Sequence, residues 1–265
     1  MADETAPSRR PVLRTARRDR VALITWPRAH HARVGLNLSL EWDRVAQAHP
    51  NVVPVALAGY ALAQALAAHP VANRRVAIWG IRPNPTVRLS FAIDVKNDLR
   101  IAVVDRANEF DPRQFQLALR RAARDARAGK GRLAMATRLI EILPVPVGRP
   151  VLRVWSAITA GLGIGALGIS GAPFGAALIS SVARFGLPAV DVPFVAFTRC
   201  AMVCSVGTVT PAVVARNGQP VVVDVVEIRV SYDHRVCDAG QLAGLLESFL
   251  AACYEPASGG GPQPA

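Results

Sequence analysis

One stretch of this 265-residue chain, Val230-Ser231-Tyr232-Asp233-His234-Arg235-Val236-Cys237-Asp238-Ala239-Gly240, gathers side chains suited to acid–base chemistry. An imidazole is matched to proton transfer near neutral pH because its unperturbed pKa is about 6.5, and a positioned histidine is the commonest general base. Two carboxylates, Asp233 and Asp238, and one guanidinium, Arg235, flank His234. The elements that must hold it are legible on either side. Val226, Ile228 and Val230 alternate with Glu227, Arg229 and Ser231, the period-two pattern of a half-buried strand. Leu242, Leu245, Leu246, Phe249, Leu250 and Cys253 then recur at helical spacing. Asp238 stands where a helix N-cap belongs. The spacing therefore predicts His234 in a strand-to-helix connection, where a rigid scaffold presents a side chain to a ligand.

Residues 231–238 resemble the histidine motif of the dihydrolipoamide acyltransferases, Ser-(Tyr/Phe)-Asp-His-Arg-Val-x-(Asp/Asn)-Gly, with Ala239 at the glycine position. These are the core subunits of 2-oxo acid dehydrogenase complexes. Their catalytic domain shares its fold with chloramphenicol acetyltransferase. Leu178-Ile179-Ser180-Ser181-Val182-Ala183 resembles a second family segment, Thr-Ile-Ser-Asn-Leu-Gly, and departs from it at Leu178 and Ala183. The likeness runs over roughly residues 14–253 and is closest to a stand-alone subgroup with an apolar insertion at about 133–175.

The resemblance implies an α/β fold, a two-layer α+β sandwich of the chloramphenicol acetyltransferase type. It implies a coenzyme A-dependent acyltransferase in which a thiol or hydroxyl acceptor attacks the acyl-CoA carbonyl directly, with no acyl-enzyme. His234 is then the base, and Ser180 donates its hydroxyl to the oxyanion, with Ser181 as its one-residue rival. Asp238 organises the site through an arginine of the N-terminal region, Arg17 or Arg18, besides capping its helix. Asp233 and Arg235 are structural ties. The implied assembly is a homotrimer or a multiple of one, with His234 of one subunit facing Ser180 of the next. Coenzyme A enters as a substrate, and no metal is implied. A lipoyl domain needs about 80 residues, which do not precede residue 14, and Lys96 and Lys130 both lie inside the catalytic region. The chain is thus expected to carry no lipoyl attachment and to meet a lipoyl domain or other carrier on another chain. Two rival readings remain open: a catalytically weak or inactive trimeric scaffold of the same fold, favoured by Ala239 and the altered serine segment, and a membrane-associated lipid acyltransferase.

Composition bounds the class. Hydrophobic residues make up 51% of the chain, which excludes a disordered protein. The net charge of +12 is almost all arginine, since Lys96 and Lys130 are the only lysines. It suits an anionic ligand such as coenzyme A, an acidic partner or a membrane surface, and no groove-reading motif points to nucleic acid. Cys200, Cys204, Cys237 and Cys253 form no CxxC pair and read as buried thiols of a reducing compartment. With no signal-peptide pattern, the expected location is cytoplasmic. His30 and His31 are adjacent, cannot share one face of a helix or strand, and do not read as metal ligands.

The order of elements follows from the patterning. Residues 1–12 read as a disordered basic arm, 13–253 as one catalytic domain, and 254–265 as a disordered tail. A short helix is expected over 13–25 and a strand over Val34–Glu41. A helix opens at Pro54 and runs to about His69. A hairpin runs over 87–95 and 99–104 with its turn at Lys96-Asn97-Asp98, and a helix starts at the Asp111-Pro112 cap with Phe115, Leu119, Ala122 and Ala126 inward. From Val154 to Ala183 there is no charged residue. That is long enough for a membrane span, but Pro173 and the glycines would break such a helix, so buried core and loop is expected instead, with peripheral contact to a membrane or a partner through 154–175 as the alternative. Gly163-Ile164-Gly165-Ala166-Leu167-Gly168 fits GxGxxG, yet Pro173 and the glycines interrupt the helix a dinucleotide site requires.

Overall fold

In the computed structural model, residues 33–256 are described except 79, 96–97, 131–132, 134–139, 141, 166–168 and 170. The expected basic arm, the expected helix over 13–25 with Arg17 and Arg18, His30 and His31, the expected turn at Lys96-Asn97, residues 166–168 and the tail beyond 256 lie outside the described residues.

Among the described residues six strands form one mixed sheet. They are β1 (Arg33–Glu41), β4 (Leu89–Val95), β5 (Asp98–Val104), β6 (Ala177–Ser181), β7 (Met202–Arg216) and β8 (Gln219–Asp233), in the order β1-β8-β7-β6-β4-β5. The outer pairs are antiparallel, while β6 runs parallel to both β7 and β4. The two longest strands are joined by Asn217 (φ 51°) and Gly218 (φ 76°). Two positive-φ residues make the type I′ turn whose twist matches the strands it joins. A second, two-stranded sheet pairs β2 (Arg74–Ala77) with β3 (Gly80–Pro83). The sequence patterning reads no element there, because four-residue strands are too short for a period to show. The short helix α1 (Trp42–Ala48) is likewise unforeseen.

The helices α2 (Pro54–Ala68), α3 (Pro112–Arg127) and α5 (Ala239–Tyr254) cover one face of the sheet. α2 is apolar almost all round and correspondingly buried on nearly every side. Its Gly59 marks the closest approach. A Cβ there would lie 2.7 Å from the Phe115 ring on α3 and 2.8 Å from the Phe91 ring on β4, and those rings meet edge to face. α3 starts at the expected Asp111 cap, whose carboxylate accepts from Gln114 N in a capping box. Its inward set differs from expectation in that Ala123 is buried and Ala122 only half-buried. Gln116 is also buried, because its amide accepts from Val53 N at 2.8 Å and donates to Asn51 O at 3.0 Å, so it ties the start of α2 to α3.

The opposite face carries a smaller core of Phe174, Leu178, Cys200 and Val203, with Trp155 and Phe197 against it. The apolar insertion supplies Trp155 and Phe174 to it. There α4 (Val145–Ser156) ends in a π-turn over Ala157–Gly161, and the chain then crosses to β6. Among the described residues no helix is long and apolar enough to cross a membrane. All four cysteines are buried thiols, and burial pushes those of Cys200, Cys204 and Cys253 up to about 12.

Gly59→Val should force the Phe91 and Phe115 rings apart and cost about 1–3 kcal/mol, read from the midpoint of urea unfolding. Unchanged stability would show that α2 does not need this approach.

Candidate active site

β8 delivers the histidine segment, and Asp233 at its end fixes it. The residue is 6% exposed. Its backbone N–H donates to Ala201 O at 2.8 Å, and its carbonyl accepts from Val236 N at 2.8 Å and Cys237 N at 3.3 Å. Its carboxylate accepts from Arg235 N at 3.0 Å and holds the Arg235 guanidinium in a fork, Nε to Oδ1 at 2.9 Å and Nη2 to Oδ2 at 2.6 Å. The same hydrogen bonds hold the Arg235 guanidinium above its ordinary pKa. From outside the segment, Arg74 on β2 donates Nη2 to Val236 O at 3.0 Å, and Arg33 on β1 donates Nε to Ser231 Oγ at 2.8 Å. The sequence holds no signal for either contact, since both partners come from remote elements.

His234 sits exposed on this tied turn. Its Nδ1 lies 3.3 Å from Cys237 O, and Tyr232 meets its ring edge-on at 6.4 Å between centroids. A carbonyl can only accept, so in the neutral ring that bond places the proton on Nδ1 and the lone pair on Nε2. Nε2 has no protein partner among the described residues. Asp238 caps α5 as read from sequence. Its Oδ1 accepts from Gln241 N at 2.8 Å, and its own N–H donates to Gln241 Oε1 at 3.3 Å.

Ser180 and Ser181 close β6, both half-buried. Strand alternation puts them on opposite faces. Ser181 follows Ile179 toward the helices, and Ser180 follows Leu178 toward the other side. The Ser180 hydroxyl has no partner among the described residues. Across the sheet its row reads Ser180, Ser205, Arg229, Asn37. Arg229 and Arg33 share the Asp191 carboxylate, at 3.7 and 2.7 Å, and Val190 N donates to Ser205 Oγ at 3.0 Å. His234 lies five residues beyond Arg229 and two strands from Ser180, on the order of 15–20 Å away at about 3.3 Å per residue and 4.8 Å per strand. The structure thus brings His234 and Asp238 onto one turn and does not bring Ser180 to them within the chain. Among the described residues no three His, Cys, Asp or Glu side chains are grouped as metal ligands.

If Asp233 ties the turn, Asp233→Asn should cost about 2–3 kcal/mol, the scale of a hydrogen bond to a charged group, and speed amide hydrogen exchange at residues 235–238. Unchanged exchange there would refute the tie.

Residues 34–137 match the family model described as 2-oxoacid dehydrogenases acyltransferase (catalytic domain), a stretch that ends before the histidine segment. No curated protein matches the sequence. Among solved structures, the probable dihydrolipoamide acetyltransferase of Listeria monocytogenes 4b F2365 aligns over 97% of this chain and 98% of its own, at 16% identity and a TM-score of 0.64. Dihydrolipoamide acetyltransferase of Azotobacter vinelandii aligns over 89% and 87%, at 19% identity and a TM-score of 0.61. The truncated catalytic core of the 2-oxoacid dehydrogenase multienzyme complex of Thermoplasma acidophilum aligns over 96% and 100%, at 11% identity and a TM-score of 0.60. Residues 34–137 therefore match the acyltransferase catalytic-domain model, and the described chain has the fold of those catalytic domains.

Proposed function

We propose that this protein is a coenzyme A-dependent acyltransferase in which His234 Nε2 removes the proton from a thiol or hydroxyl as that group attacks an acyl-CoA carbonyl. The observation that carries the reading is the Nδ1 contact to Cys237 O, which turns Nε2 away from the protein on a turn tied by Asp233. The acceptor's proton passes to Nε2, and the departing coenzyme A thiolate takes a proton in turn. Ser180, its hydroxyl unengaged, donates to the tetrahedral oxyanion. The separation of Ser180 from His234 within the chain favours a site completed by a second subunit, hence a homotrimer or a multiple of one. The cubic core of the pyruvate dehydrogenase multienzyme complex, aligned over 89% of this chain at 17% identity and a TM-score of 0.61, is a multi-subunit assembly of the same fold. In the Azotobacter enzyme a serine, a histidine and an asparagine were investigated for roles in the catalytic mechanism, the asparagine four positions after the histidine. Asp238 stands at the same offset from His234 and caps α5, so it positions the turn rather than touching substrate. The acyl carrier on the acceptor side would be a lipoyl domain or similar thiol of another chain.

The test is transfer from acyl-CoA to a small dithiol. His234→Ala should lower kcat by about 10²–10⁴, the scale of general-base removal, with the unfolding midpoint unchanged. Ser180→Ala should lower it by about 10²–10³, and Asp238→Ala should cost about 1 kcal/mol of stability as well as rate. Light scattering should show a trimer or a multiple. A wild-type chain that transfers nothing and is indifferent to His234→Ala is the inactive scaffold instead.

A second reading rests on an exposed apolar ridge. Val147, Val151, Val154, Ile158 and Leu162 follow one side of α4 and its π-turn, each at least 37% exposed. Such a ridge suits peripheral contact with a membrane through the 154–175 region. Vesicles of mixed neutral and anionic phospholipid should carry the chain upward in a flotation gradient, and Val154→Asp with Ile158→Asp should release it. A wild-type chain that stays at the bottom overturns this contact.

A further inference from the structure

Three arginines around the β2–β3 hairpin take no part in the chemistry above. Arg75 and Arg82 are direct cross-strand partners, so their side chains leave the same face with Cβ atoms about 5 Å apart, an arrangement that is unfavourable for like charges. Arg75 is only 8% exposed. Its Nε donates to Ala160 O at 2.8 Å, and its Nη1 donates to Pro83 O at 2.6 Å and Asn84 Oδ1 at 3.3 Å. Arg199 comes from the loop before β7, donating Nε to Ser156 Oγ at 3.1 Å and Nη1 to Val76 O at 3.2 Å. It is held at φ 54°, a left-handed backbone that a non-glycine residue keeps only where its surroundings insist. Both guanidiniums lie against one glycine turn. A Cβ on Gly163 (φ +73°) would stand 2.7 Å from Arg75 Nη2, and one on Gly161 would stand 3.4 Å from Arg199 Cζ.

Every acceptor these arginines use is neutral. Among the described residues Arg75, Arg82 and Arg199 make no ion pair, and the Nη2 groups of Arg75 and Arg199 make no hydrogen bond. Buried cations are normally paired, because the desolvation cost is otherwise unmet. Desolvation pulls the pKa of both Arg75 and Arg199 below the usual guanidinium value, with no opposing charge to hold it up. A phosphate supplies what is missing, namely two negative charges and three acceptor oxygens, and guanidinium forks match its geometry.

We propose that Arg75, Arg82 and Arg199 form a binding site for a phosphate group, a phosphomonoester or diphosphate. Arg74, the neighbour of Arg75 on β2, bonds Val236 O in the histidine turn, so β2 links this hairpin to the turn that carries the candidate base. Coenzyme A, which carries both phosphate types, is one source of the group, and that assignment rests on the acyltransferase reading. The phosphate site itself does not, and a separate phosphorylated ligand is the other source.

Isothermal titration of the full chain in chloride buffer tests it, with pyrophosphate, coenzyme A and pantetheine as probes. Arg82→Gln, at an exposed position, and Arg199→Gln are the variants, and each is checked for its unfolding midpoint. Pyrophosphate should bind the wild type, and each variant should weaken it by about 10- to 100-fold, the scale of one charge-assisted hydrogen bond. If coenzyme A weakens in parallel while pantetheine does not, the phosphate is the coenzyme's. If only pyrophosphate weakens, the site stands and belongs to another phosphorylated ligand. The proposal is overturned if the wild type binds neither pyrophosphate nor coenzyme A saturably. It is equally overturned if both variants bind them as the wild type does while their midpoints fall, which would make the arginines structural ties only. Pyrophosphate binding is independent of turnover, so a chain that binds it but transfers no acyl group separates failure of this site from failure of the acyltransferase reading.

Discussion

The carboxylate of Asp233 is the constraint on which the candidate site depends. A carboxylate with 9% of its side chain exposed needs close partners. Here the partner is local, the guanidinium and backbone N–H two positions on. That closes the chain into a tight turn at the point where β8 must stop. The same residue's carbonyl takes the amides of Val236 and Cys237, so the turn is held from the backbone side as well. His234 is exposed yet has a defined orientation because everything behind it is tied. The long register of β7 against β8, set by the Asn217-Gly218 turn, brings that end of the sheet to a fixed place against Ala201.

The sheet's mixed polarity has a consequence for the chemistry. β6 runs parallel to β7, so its C-terminal serines lie toward the middle of β8 rather than beside its end. No side-chain rotation closes a gap of five residues and two strands. A mechanism that uses both Ser180 and His234 must take one of them from another copy, which ties the proposed activity to assembly. Alternation also separates Ser180 from Ser181. The first stands in a polar row with Ser205, Arg229 and Asn37, and the second points with Ile179 toward the helices.

Arginine is distributed by task. Arg235 and Arg88 are held by carboxylates in hydrogen-bonded ion pairs. Arg33 and Arg229 share one. Among the described residues, Arg75 and Arg199 have only carbonyls, a hydroxyl and an amide. Net charge alone cannot distinguish these cases, because what matters is whether each guanidinium is dry and what stands within reach of it.

By itself the sequence determined the local elements. Period-two and helical spacing placed β1, α2, the β4–β5 hairpin, α3, α5 and the Asp111 and Asp238 caps close to where they form, because each depends on neighbours within a few residues. The histidine turn was legible for the same reason, since Asp233, His234, Arg235 and Cys237 interact across three positions or fewer. Only the tertiary structure decided the rest. The strand order that parts Ser180 from His234, the contacts of Arg33 to Ser231 and Arg74 to Val236, and the arginine cluster on a hairpin too short to show a period all join residues far apart in sequence. Their energies come from burial and from which strand lies beside which, and neither quantity exists until the chain has folded.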